Sequence, residues 1–116
     1  MIKTPLYHEE NDAFLGNIVQ DSTGWQAQTV FGYIIARTLS EKDAEAVLRA
    51  EGLTYLSGIW QYYDKEEHDW FPCTIKDANE HIVTVIRTNA LGYQDPEVYK
   101  LYVIEGPSEE NLIKSA

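Results

Sequence analysis

Trp60–Cys73, WQYYDKEEHDWFPC, carries five of the fourteen aromatic residues of a 116-residue chain, divided by a run of charge. An aromatic block, a polar block and a second aromatic block make the pattern of a β-hairpin. Aromatic side chains suit a half-buried pleated surface, and Asp, Glu and Lys suit a solvated tip. The fold class follows from what flanks this hairpin.

Downstream, the second aromatic arm continues through Ile75 and turns at Asp77-Ala78-Asn79-Glu80. A further strand then runs from His81 to Thr88 around the β-branched VTVI centre. A looser segment, 89–96, leads to a last strand from Val98 to Ile104, which Gly106-Pro107 stops. Upstream, the first arm reaches back to Tyr55, and before it lies the one segment with helical character. Ser40 caps it, Asp43 three residues on completes a capping-box pattern, and Gly52 ends it. Ala44, Val47 and Leu48 form its apolar stripe, and Glu45 and Arg49 make an i,i+4 pair on the other side.

Nearer the N-terminus, Ala13–Val19 and Trp25–Arg37 are rich in β-branched and aromatic residues on either side of Asp21-Ser22-Thr23-Gly24, and predict a hairpin whose second arm is one long strand. The order is ββαββββ. It describes an α+β protein, a single domain of residues 1–116, with a largely antiparallel twisted sheet of about six strands and one helix on one face. Segments 1–12 and 105–116 are expected to be loosely ordered. One helix cannot cover both faces of a sheet with aromatics on both sides. The uncovered face calls for curvature, a ligand or a second copy of the chain, and a homodimer is expected.

Nineteen Asp and Glu against nine Lys and Arg give a net charge of −10. A phosphate backbone or an anionic membrane surface would be repelled, so neither nucleic acid nor membrane is an expected partner. A basic protein surface would be attracted. No run is apolar enough for a signal peptide or a membrane span, and Cys73 stands alone, which excludes an intrachain disulfide; the expected location is cytoplasmic.

Glu67, His68 and Asp69, with His8, Glu9, Glu10 and Asp12, are residue types that bind metals, but neither HEEND nor EEHD repeats a histidine at ligand spacing. No metal or other cofactor is expected. Cys73 alternates with Phe71 and Ile75 and reads as a small hydrophobe of the core. Arg37 and Arg87 close apolar strands and read as partners of the carboxylate excess. No phosphate-binding glycine loop or nucleophile elbow occurs. The expected function is binding, through an acidic and aromatic surface built from Trp60, Tyr62, Tyr63, Glu67, His68 and Trp70. Trp60 or Tyr63 would form its outward half together with Trp70. The alternative is a small apolar ligand, or a small enzyme whose pocket joins Tyr33, Trp60 and Trp70 to His68, His81, Glu67 or Cys73.

Overall fold

The computed structural model describes residues 3–89, 91, 93 and 101–115. Among them the order is β1 Lys3–Tyr7, β2 Phe14–Gln20, β3 Trp25–Gln28, β4 Ile34–Thr38, α1 Glu41–Glu51, β5 Trp60–Asp64, β6 Asp69–Ala78, β7 Ile82–Arg87, β8 Leu101–Glu105 and β9 Leu112–Lys114. The α+β class and the antiparallel pairing are as expected. The strands number nine rather than about six, and they form two sheets, ordered β1-β2-β3-β4 and β8-β7-β6-β5-β9. The chain divides with them into two compact units, Met1–Leu56 and Ser57–Ala116. No helix among the described residues is long and apolar enough to cross a membrane.

In the first unit, α1 packs on a four-stranded antiparallel sheet. Ser40 Oγ accepts a hydrogen bond from the Asp43 amide at 3.1 Å, satisfying one of the free amides of the first turn. Ala44 and Leu48 lie on the buried stripe and meet Leu15, Ile18 and Ala27 of the sheet. Complete burial of a side chain such as Leu48 contributes roughly 2 kcal/mol. The helix comes this close because β2 carries Gly16, at φ 143°. A Cβ there would run into the Gln28 carbonyl and would sit 3.0 Å from Leu48 Cδ2.

The expected long strand from Trp25 to Arg37 is broken in two. Residues 29–33 close a tight turn, in which Gly32 N donates to Thr29 O at 2.9 Å and Tyr33 N donates to Thr29 O γ1 at 3.0 Å. Gly32 supplies the positive φ of 95° that the reversal needs. The arms then pair as β3 and β4. Segment 1–12, expected to be loose, supplies β1, which pairs with β2 from Lys3 opposite Val19 onward.

In the second unit, β5 begins only at Trp60, because Thr54–Leu56 forms a 3-10 turn instead of strand. The predicted hairpin is present, with Trp60 opposite Cys73 and Asp64 opposite Asp69. On its other side β5 pairs with β9, formed by the expected C-terminal tail, Trp60 lying opposite Lys114. Of the expected strand Val98–Ile104, residues 98–100 lie outside the described residues, as does most of the looser segment before it; Leu101–Glu105 pairs with β7.

A candidate aromatic and acidic binding pocket

Alternation along β5 sends Trp60, Tyr62 and Asp64 to one face and Gln61 and Tyr63 to the other, and the first three are buried. Register carries the inner face across the sheet. Tyr62 lies opposite Phe71, Trp60 opposite Cys73, Cys73 opposite Arg87, and Val85 opposite Tyr102. The sheet curls around this face. In a flat sheet β5 and β8, three spacings apart, would be about 14 Å from each other. The ring centroids of Tyr62 and Tyr102 are 4.7 Å apart.

The curl leaves an open pocket of about 430 Å³ at the hairpin end of the second unit. Tyr62, Tyr63 and Asp64 of β5 and Tyr102, Val103 and Ile104 of β8 line it. Lys65 and Glu66 of the tip, Glu105 and Asn111 also line it. The tip is ordered by Asp64, whose Oδ1 accepts from the Glu66 amide at 2.8 Å and the Glu67 amide at 3.3 Å. His68 then reverses the chain in the left-handed region, at φ 53°. Tyr62 is 2% exposed, and its Oη is closed off from solvent. Burial raises its pKa above the ordinary phenol value, and the neighbouring Tyr102 raises it further, so the phenol stays neutral.

Of the residues predicted for a binding surface, Tyr62 and Tyr63 line this pocket. The ring of Tyr63 pairs with Trp70 on the outer face at 5.5 Å, as the alternation implied. Trp60 is not part of that outer surface. The register that sets it opposite Cys73 turns it into the core, with no exposed area, and Lys114 Nζ lies 5.2 Å from its ring. Glu67 and His68 are exposed at the tip, where Glu67 Oε2 meets Arg87 at 3.4 Å. Arg87 lies 3.5 Å over the Phe71 ring, and Arg37 pairs with Asp21 at 3.0 Å. Both arginines therefore neutralise carboxylates, as expected.

Cys73 is fully buried, and desolvation pushes its thiol up to about 12. His81 is exposed, and its carbonyl accepts from Gly106 N. None of His68, His81, Glu67 and Cys73 lines the pocket. Tyr102, Ile104 and Glu105 were missing from the predicted site. No local pattern joins Tyr62 to a tyrosine forty positions away, because only the curl of the sheet brings them together. Asp64 and Glu66 were visible in the acidic block, yet nothing in the spacing singled them out from Glu67 and Asp69.

No family model, no curated protein and no solved structure matches this chain.

Proposed function

We propose that the protein is a binding module that recognises a basic segment of a partner protein at the mouth of this pocket. The observation that carries the reading is the composition of the walls: Asp64, Glu66 and Glu105 stand against Lys65 alone, around tyrosine. In a chain of net charge −10, such a mouth concentrates the negative field where a cationic group arrives. The exposed Glu67 and His68 and the outer pair of Tyr63 and Trp70 extend the same surface beyond the rim. A cytoplasmic setting belongs to this reading, and the lone buried thiol of Cys73 suits it.

The test is titration of the native protein with a lysine-rich peptide by calorimetry, repeated on the double variant Glu66→Lys, Glu105→Lys. Both side chains are exposed, so the fold is expected to tolerate the change. Binding is expected to weaken about tenfold or more in the variant, and to weaken with added salt in the native protein. Equal affinity in native and variant protein would rule the site out.

A further inference from the structure

We propose that the basic segment of that partner binds as an extended strand, adding to the free edge of β8 and lying along the pocket. The proposal rests on the reading above and names the conformation recognised. Its first support is the parity of the lining. Tyr102, Val103, Ile104 and Glu105 follow one another along β8, and all four line the cavity. Successive residues of a strand point to opposite faces of the sheet, so a cavity confined to one face would meet only every second one. This cavity meets β8 along its edge.

Its second support is which edge that is. No residue of β6 or β7 lines the cavity, although both strands lie between β5 and β8 in the sheet. The edge concerned is therefore the one turned away from β7, where no strand pairs among the described residues. The cavity meets β5 in the same way, through the consecutive residues Tyr62, Tyr63 and Asp64, where pairing with β9 stops at Tyr62. The curl brings the two ends of the sheet to one seam, and the added strand occupies it. A strand edge carries alternating backbone donors and acceptors, which an extended chain can satisfy.

The side chains of the occupant follow from its neighbours. On the inner face an added strand lies beside Tyr102 and Ile104, which suits apolar residues. On the outer face it lies beside Val103 and Glu105, and there a cationic residue meets a carboxylate. The segment therefore alternates basic and apolar residues. A second copy of the chain can meet the same edge, but it brings the same net charge of −10, so the basic strand is expected to displace it.

The experiment titrates the native protein with a capped five-residue peptide of alternating lysine and valine, and with the same peptide N-methylated at its three central amides. Methylation keeps every side chain and charge and removes the donors that pair strands. The unmodified peptide is expected to give NMR cross-relaxation between its amides and those of alternate residues in Leu101–Glu105, and the methylated one to bind about tenfold more weakly without it. Equal affinity of the two peptides, or contacts to β1, β4 or β9 in place of β8, overturns the proposal. So does a dimer paired through β8 that saturating peptide leaves intact, since the edge then belongs to a second copy. If the native protein binds both peptides equally and the Glu66→Lys, Glu105→Lys variant loses both, the basic-partner reading stands and the strand addition falls. If the native protein binds neither, both fall.

Discussion

Tyr62 and Cys73 are neighbours on the inner face of the second sheet, and burial acts on both acids in the same direction. Each is held in its neutral form. For Cys73 the consequence can be measured. A thiol that ordinarily titrates near 9 is pushed up to about 12, so at neutral pH the native protein holds about a thousandfold less thiolate than the unfolded chain. Alkylation of the native protein by iodoacetamide at pH 8 is expected to be slow and to accelerate sharply on addition of denaturant. Fast labelling of native protein would show that the site opens. The linkage has a definite sign: the fold favours the protonated thiol, so this contribution to stability is complete below about pH 9 and is lost as pH rises toward 12. The core role of Cys73 was legible because alternation with Phe71 and Ile75 is local. The inward turn of Trp60 was not, because parity divides a strand into two faces without saying which one is covered.

At the level of single elements, α1 was the most legible part of the molecule, since its cap, its stripe and its stop all lie within thirteen consecutive residues. The cap is also the simplest to perturb. Ser40→Ala removes the acceptor of the Asp43 amide and leaves the buried stripe untouched. A loss of about 1 kcal/mol is expected from urea denaturation, and a change of less than a few tenths would mean that the amide finds another acceptor. The reversal at residues 29–33 was hidden for the opposite reason. Thr29, Val30, Phe31 and Tyr33 are all strand formers by propensity, and the turn is made by Gly32 with a threonine hydroxyl rather than by the usual Asn, Asp or Pro. Tertiary pairing of the two arms overrides the propensity of the residues between them.

On the scale of the whole molecule, the division into two sheets depends on which strands become neighbours. That choice is non-local, and the residues of β8 and β9 give no local sign of it. The two ends of the five-stranded sheet differ in kind. One ends in β9, three residues long and carrying Lys114. The other ends in β8, where Val103 is 62% exposed and Leu101 46% exposed. Among the described residues no strand pairs with the far side of β8; an edge with apolar side chains is suited to adding another strand, and we propose that self-association of the chain uses β8. Sedimentation velocity at micromolar concentration is expected to give a dimer, and Val103→Lys to return it to monomer. A native monomer at that concentration would remove the proposal.

The three residues of β9 have a further consequence, which concerns what the molecule avoids. By pairing with Trp60–Tyr62 they make β5 an interior strand, and they cap its hydrogen-bonding side with a segment of three residues, too short to extend the sheet. Clipped off by a protease, they would not leave a trimmed tail. They would leave the backbone donors and acceptors of β5, three of whose five residues are aromatic, as a bare template for another strand.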